Sequence, residues 1–87
     1  MKRITSKYNN KLNTIGAKLK KYRLANNISL SQLSNELMLM GIDIPKSSLQ
    51  NIEVGKRILK EYEFYALCKV FNISMEEMLE DFINEID

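Results

Sequence analysis

The sequence of 87 residues predicts a single all-α domain of five helices. Three observations predict this fold class. Only three Gly and one Pro interrupt the chain, fewer than the tight turns of an all-β protein would need. Apolar residues recur at helical spacing, and capping motifs precede several of these segments. A chain of this length buries only about 60% of the surface that its unfolded form exposes, so one small core is the limit.

Apolar periodicity places the helices along the chain. The first stripe, formed by Ile15, Leu19 and Tyr22, has the spacing i, i+4, i+7 of a helix face. Thr14 is the predicted N-cap of this helix, and the two Asn at 26–27 are its predicted stop because Asn tolerates left-handed backbone. The five predicted helices cover about residues 14–26, 29–40, 46–54, 60–71 and 75–85.

Capping motifs and helix breakers set the boundaries of the later helices. Ser29 and Gln32 form an S-x-x-Q capping box, in which each side chain satisfies one free backbone N–H. The Ser-Met-Glu-Glu run at 74–77 predicts a second box at the start of the fifth helix. Gly41 predicts the end of the second helix, and Pro45 suits the first turn of the third.

Charge is distributed unevenly along the chain. Residues 1–27 carry eight basic side chains and no acid, whereas residues 60–87 carry eight acids and two Lys. The basic end indicates an anionic partner, although a simply solvated charged face is the alternative. Residues 1–13 are polar and unpatterned, and we expect them to form a flexible basic N-terminal arm ahead of a domain at 14–87.

The residue content excludes several kinds of chemistry. The chain has no His and one Cys, Cys68, so it lacks a Ser-His or Cys-His nucleophile pair, a zinc cluster and a disulfide framework of its own. The late carboxylates lie on a short exposed helix, without the burial that tunes a catalytic pKa. We therefore expect no enzymatic activity, no metal and no cofactor. No apolar run approaches the roughly 18 residues of a membrane span, and no signal peptide follows the N-terminus, so we expect a cytoplasmic protein without a membrane partner.

Several short motifs occur in a characteristic order and spacing. They are Arg23 in helix one, Ile28-Ser29 before the capped helix, Leu33-Ser34, Ser47-Ser48-Leu49, Ile52-Glu53-x-Gly55-Lys56-Arg57 and Phe71-Asn72-Ile73-Ser74-x-Glu76-Glu77-Met78-Leu79. Together they resemble the helix-turn-helix of the lambda-repressor and Cro type, the xenobiotic-response-element family, over about residues 15–79. The resemblance implies a five-helix DNA-binding domain in which helices two and three form the helix-turn-helix.

Three positions depart from the family pattern. Leu30 replaces the Gln that often contacts a DNA phosphate, so that contact is not carried over to this chain. Ser34 replaces a small Ala where the two helices cross. The turn between helices two and three is about five residues longer than the short family turn. It has the G-x-[DE]-[IL]-[SP] form of a common variant among bacterial regulators, and it affects the angle of helix three.

The resemblance implies a mechanism in which helix three, about residues 46–54, enters the major groove of double-stranded DNA. Lys suits guanine, and Asn or Gln suits adenine. The implied base contacts are Lys46, Ser47, Gln50 and Asn51. The implied phosphate contacts are Ser31, Ser48, Lys56 and Arg57, with Lys2, Arg3, Lys7 and Lys11 of the arm as additional phosphate or minor-groove contacts. The implied function is a sequence-specific regulator of transcription, a bacterial, plasmid or phage repressor.

Other readings of individual residues stay open at this stage. Glu53 either contacts a base or forms the structural ion pair with Arg23 that the resemblance implies, and we favour the ion pair. Cys68 is expected in the core rather than as a reactive thiol. At least two of the aromatic residues Tyr62, Phe64 and Tyr65 are expected to pack, rather than to form a stacking platform. The lysines Lys18, Lys20 and Lys21 are either solvated or DNA-contacting.

The end of the chain allows two further interpretations. Phe82, Ile83 and Ile86 form an apolar stripe beyond the family unit. They either fold back on helix one or form half of a homodimer interface, which we favour because one domain reads only a few base pairs. The alternative function is a protein-interaction module, an antitoxin or adaptor, in which the acidic C-terminal helix binds a protein partner and DNA binding is secondary or lost.

Overall fold

A computed structural model describes residues 11–86 of the chain, and the side chains of residues 11–84. Over these residues the fold is all-helical, as predicted, with no strand. Six helices follow one another: α1 Gly16–Ala25, α2 Leu30–Leu39, α3 Lys46–Glu53, α4 Glu61–Phe71, α5 Met75–Met78 and α6 Glu80–Ile86.

The predicted fifth helix is divided into α5 and α6 at Leu79. The Leu79 N–H donates both to the Met75 carbonyl at 3.0 Å and to the Glu76 carbonyl at 3.2 Å. The bond to Glu76 spans three residues instead of four, so it tightens the backbone and ends α5 after a single turn. The Leu79 carbonyl then accepts from the Ile83 N–H at 2.9 Å, so helical bonding resumes in α6. The prediction of one continuous helix was wrong because no Gly or Pro marks this break.

The core lies among α1, α2, α3 and α4. Its fully buried members are Leu19, Leu33, Leu37, Ile44, Leu49, Ile52, Ala66 and Leu67. A smaller cluster of Ile15, Cys68 and Met78 joins α1 to α4 and α5. Cys68 thus lies in the core, as predicted, and this burial raises the pKa of its thiol.

The aromatic residues of α4 pack less than predicted. Phe64 is half-buried against the smaller cluster, whereas Tyr62 and Tyr65 are 49% and 51% exposed. Both tyrosines lie on the outward face of the helix, each under a lysine ammonium group at 5.9 and 5.8 Å from the ring centroid. The expectation that at least two of the three pack was therefore wrong.

Side-chain caps form at two of the helix starts where the sequence predicts them. The capping box of Ser29 and Gln32 is complete at α2. At α5 the Ser74 hydroxyl accepts the Glu77 N–H at 3.0 Å, but the reciprocal bond of the predicted box is not formed. At α1, however, Thr14 makes no capping bond. The Asn13 carboxamide oxygen instead accepts the Gly16 N–H at 2.7 Å and the N–H of the residue before it at 3.1 Å.

The long turn between α2 and α3 folds back against α2. The Ser34 hydroxyl donates to the Ile44 carbonyl at 2.8 Å, and the Ile42 N–H donates to the Leu37 carbonyl at 3.0 Å. Ile44 is fully buried. The hydroxyl at position 34, where the family pattern has Ala, thus secures the additional residues of the turn.

Candidate nucleic-acid interface

One face of α3 is polar and open to solvent, while the opposite face is buried. Lys46, Ser47, Gln50 and Asn51 are all exposed, and their i, i+1, i+4, i+5 spacing places them on the same side of the helix. Leu49 and Ile52 are fully buried on the other side, and Ser48 is half-buried. The four side chains implied as base contacts therefore form one continuous surface.

A buried ion pair holds α3 against α1. The Arg23 guanidinium donates to the two carboxylate oxygens of Glu53, from Nε at 2.6 Å and from Nη2 at 3.2 Å. A third bond runs from Arg23 Nη1 to the Ile28 carbonyl at 2.9 Å. Both side chains are buried, at 10% and 3% exposure. Both oxygens of Glu53 accept hydrogen bonds inside the protein, so this geometry favours the structural reading of Glu53 over base contact.

The backbones of α1 and α3 meet at Gly16. A Cβ atom at this position would lie 2.3 Å from the Ile52 carbonyl oxygen and 2.8 Å from the Glu53 carbonyl oxygen. Both neighbours are backbone atoms, which cannot rotate away. A side chain at position 16 would therefore push the two helices apart.

The residues implied as phosphate contacts have different surroundings. Ser31 in the first turn of α2 and Lys56 after α3 are exposed. Arg57 is half-buried and makes two bonds of 3.0 Å to the carboxylate of Glu63. These bonds lower the pKa of Glu63 and raise that of Arg57. Arg57 therefore secures the loop after α3 to α4, and sequence reasoning missed its partner.

The lysines of α1 differ in orientation. Lys18 donates from Nζ to the Glu77 carbonyl at 2.8 Å, so it links α1 to α5. Lys20 and Lys21 are exposed. Tyr22 lies one turn after Lys18 on the same side of α1. Its pKa is raised by burial first, and then by the nearby carboxylates of Glu77, Glu80 and Asp81.

The remaining implied residues lie at the two ends of the chain. Phe82 and Ile83 on α6 are half-buried. Ile86 ends α6, but its side chain lies outside the described part, as do Lys2, Arg3 and Lys7. Lys11, by contrast, is described and lies next to the end of α3.

Asn13 contacts the end of α3, and sequence reasoning missed this residue. Besides capping α1, its carboxamide nitrogen donates to the Ile52 carbonyl at 2.9 Å and to the Arg57 carbonyl at 3.1 Å. An Asn shortly before a helix is a capping signal that the sequence contains. The two donated bonds depend on the approach of α1 to α3, which no local pattern reveals.

The all-helical fold and the exposed polar face of α3 are features expected of a DNA-binding helix-turn-helix regulator. The sequence profile of the helix-turn-helix family matches residues 19–78. The chain therefore belongs to the lambda-repressor-like, or xenobiotic-response-element, helix-turn-helix family. Its members are DNA-binding regulatory domains and are not typically enzymes. No curated protein and no solved structure is significantly similar to the chain.

None of the helices within residues 11–86 combines the length and the apolar character that a membrane span requires. The same residues contain no group of three or more His, Cys, Asp or Glu side chains arranged to hold a metal ion.

Proposed function

We propose that the protein is a sequence-specific transcriptional repressor that inserts α3 into the major groove of double-stranded DNA. The observation that carries this proposal is the polar face of α3, on which four exposed side chains lie together. The ion pair of Arg23 with Glu53 and the close contact at Gly16 fix the opposite side of the helix. A rigid helix that presents polar groups on one face suits the reading of base edges.

Each exposed side chain has a chemical role in this proposal. Lys46 at the first turn donates to guanine O6 or N7, and the amides of Gln50 and Asn51 pair with adenine N6 and N7. Ser47 adds a short hydroxyl to the same surface. Ser31 and Lys56, together with Ser48 at the start of α3, bind backbone phosphates and position the helix in the groove.

Repression requires only that the protein occupy its DNA site, because a bound protein excludes other proteins from the same stretch of DNA. Activation would require a further surface that contacts the transcription machinery. Occupancy is the simpler consequence of the proposed interface, so we favour repression.

A homodimer would give the protein a longer recognition site. One α3 contacts only a few base pairs, and two symmetry-related copies read two half-sites about one helical turn apart. The stripe of Phe82, Ile83 and Ile86 on α6 is our candidate for the shared surface, because the first two are only half-buried. Sedimentation of the wild type and of Ile83→Glu would test this assignment.

Selection from a random duplex library, followed by sequencing, tests the proposed function. Enrichment of a palindrome with half-sites about one turn apart supports both sequence reading and a dimer. Enrichment of one unpaired motif supports the reading and contradicts the dimer. Absence of enrichment, with only weak and salt-sensitive binding, contradicts the proposed function.

Variants of α3 assign the bases. We expect Lys46→Ala and Asn51→Ala each to relax the preference at one position by about 1–3 kcal/mol. Lys69→Ala on α4 is the matched control, because Lys69 is exposed and lies outside the helix-turn-helix. Equal effects in the variants and the control would contradict base reading by α3.

A protein-interaction module is the second candidate function. Leu30, at the family's phosphate-contacting position, packs partly against the core and offers no hydrogen bond. Helices α5 and α6 present an exposed acidic surface to a protein partner, formed by Glu76, Glu77, Glu80 and Asp81. In this case the α3 variants would leave function unchanged, whereas reversal of charge on α5 would abolish binding to that partner.

A further inference from the structure

The two ends of α3 are held by different parts of the fold. At the C-terminal end, the Glu53 carboxylate is bonded to Arg23 of α1. The α1 backbone also approaches so closely at Gly16 that a Cβ atom there would overlap the Ile52 carbonyl. The N-terminal end is joined to α2 instead, through the hydroxyl of Ser34. The direction of α3 therefore depends on two separate attachments.

The attachment to α2 acts on the peptide group that leads into α3. The Ser34 hydroxyl donates at 2.8 Å to the carbonyl of Ile44, and this carbonyl belongs to the peptide bond between Ile44 and Pro45. Pro45 is the N-cap of α3, and its ring restricts φ, which is −63° here. The Pro45 carbonyl in turn accepts the Leu49 N–H at 3.0 Å. One planar peptide group and one restricted angle thus connect Ser34 to the first turn of α3.

Apolar packing alone leaves the direction of this end of α3 less well defined. Ile44 and Leu49, on either side of Pro45 along the chain, are fully buried. Burial of apolar surface holds the segment against the core, but it has no preferred direction. A hydrogen bond is directional, because it weakens steeply when donor and acceptor are misaligned. The bond from Ser34 therefore supplies an orientation that the packing does not.

The first turn of α3 is the part of the helix that is most sensitive to this attachment. From Lys46 to Glu53 the helix rises by about 10 Å. A rotation of about 5° around the Glu53 end would move Lys46 by about 0.9 Å but Asn51 by only about 0.3 Å. Side chains of a binding site need to be held within about 0.5 Å of their working position. Loss of the Ser34 bond would therefore misplace Lys46 and leave Asn51 within reach of its base.

We propose that Ser34 is a positioning residue that determines the sequence preference of the first turn of α3. Ser34 is half-buried, and its hydroxyl proton is used on the Ile44 carbonyl. It acts through Pro45 on Lys46 and Ser47, so it sets the preference for the bases that these two residues read. Ala, the residue of the family pattern, cannot make this bond. The inference rests on the proposed function, because it concerns the direction of the same reading helix.

Binding to single-base variants of the selected DNA site tests this role. Lys46→Ala and Asn51→Ala first assign the base position that each side chain reads. We expect Ser34→Ala to lower the discrimination at the Lys46 position by about fivefold or more, which is the loss of one base contact, and to leave the discrimination at the Asn51 position unchanged. One hydrogen bond is a small part of the stability of a domain, so we expect Ser34→Ala to stay folded, which circular dichroism checks.

Ser29→Ala is the matched control. It also removes a serine hydrogen bond from α2, the bond of 3.0 Å with the Gln32 N–H, but at the end of the helix away from the turn. It should leave the discrimination at both base positions unchanged. In the Lys46→Ala background, Ser34→Ala should cause no further loss at the Lys46 position, because both residues act through the same contact. An additive loss would refute the proposed route from Ser34 to the DNA.

The remaining outcomes separate this inference from the proposed function. If the wild type selects a site and Ser34→Ala keeps the full discrimination at the Lys46 position, the positioning role is refuted and the proposed function stands. The same conclusion follows if Ser34→Ala loses equal discrimination at the Lys46 and Asn51 positions, or if Ser29→Ala reproduces its effect. If Lys46→Ala changes no base preference, this inference is refuted as well. If the wild type selects no site, the proposed function and this inference are refuted together.

Discussion

Replacement of Glu53 by Gln should destabilise the protein strongly, because Arg23 would keep its charge without a counterion. The present pair shares two short bonds, and both side chains are almost completely removed from water. Removal of one partner from a buried ion pair costs about 3–5 kcal/mol, mainly because the other charge stays buried. Gln retains one acceptor oxygen, so we expect about 3 kcal/mol for Glu53→Gln.

This loss is large for a domain of 87 residues. At roughly 0.05–0.15 kcal/mol per residue, the whole free energy of unfolding is about 4–13 kcal/mol. Urea unfolding followed by circular dichroism measures the change. Glu36→Gln on α2 is the matched control, since Glu36 is exposed, and we expect it to change stability by less than about 0.5 kcal/mol. Replacement of both Arg23 and Glu53 by apolar residues of similar size should recover much of the loss.

Two results would refute this reasoning. A destabilisation below about 1 kcal/mol would show that the pair does not hold α3 against α1. The second result is a folded Glu53→Gln protein that loses its preference at one base position while it keeps the preferences that Lys46 and Asn51 determine. That result would show that Glu53 contacts a base. Selection on the variant at a temperature where it is fully folded distinguishes these cases.

Three further predictions follow from the packing. Gly16→Ala gains about 1 kcal/mol of helix propensity, but the overlap with the Ile52 carbonyl costs about 1–3 kcal/mol. We therefore expect urea unfolding to show a net loss of stability. A more stable variant would contradict the close contact. Arg57 lowers the pKa of Glu63 below its usual 4.5, so the stability from this pair is present above that pH and is lost as the pH falls through the lower, folded-state pKa. Glu63→Gln should reduce stability at neutral pH and flatten the acid dependence of unfolding, and an unchanged dependence would exclude the pair as its cause. Burial and the raised pKa of Cys68 should make its alkylation much slower in the native than in the unfolded protein, whereas equal rates would place the thiol at the surface.

Local signals in the sequence were sufficient for most of the helices, and the family resemblance then marked α3 as the candidate reading surface. The capping box at Ser29 and the apolar stripe through Leu19 depend on residues three or four positions apart, so their effects are visible without a fold. The same is true of the spacing of Lys46, Gln50 and Asn51, which places them on one face of any helix. The break at Leu79 was missed because its cause is a small change in backbone bonding rather than a helix-breaking residue.

Contacts between distant parts of the chain could be predicted only where the family resemblance supplied them. Arg23 and Glu53 are an example, and their geometry agrees with that implication. Arg57 with Glu63 had no such guide, and its charge alone was compatible with a phosphate contact. The exposure of Tyr62 and Tyr65 was likewise undetermined, because an aromatic residue at helical spacing can lie on either side of a helix.

The sequence by itself determined the helical class and most helix ends, because these depend on short-range backbone geometry and on periodicity. The family resemblance selected the polar side chains of α3 that we propose contact DNA. Only the tertiary structure decided which charges remain free for a partner and which are used within the protein. That division depends on distances between segments far apart in the chain, such as Asn13 and Arg57, which are 44 residues apart yet joined by a bond of 3.1 Å. A hydrogen bond of this length forms only when the packing of the core brings both groups together, and no local pattern specifies that packing.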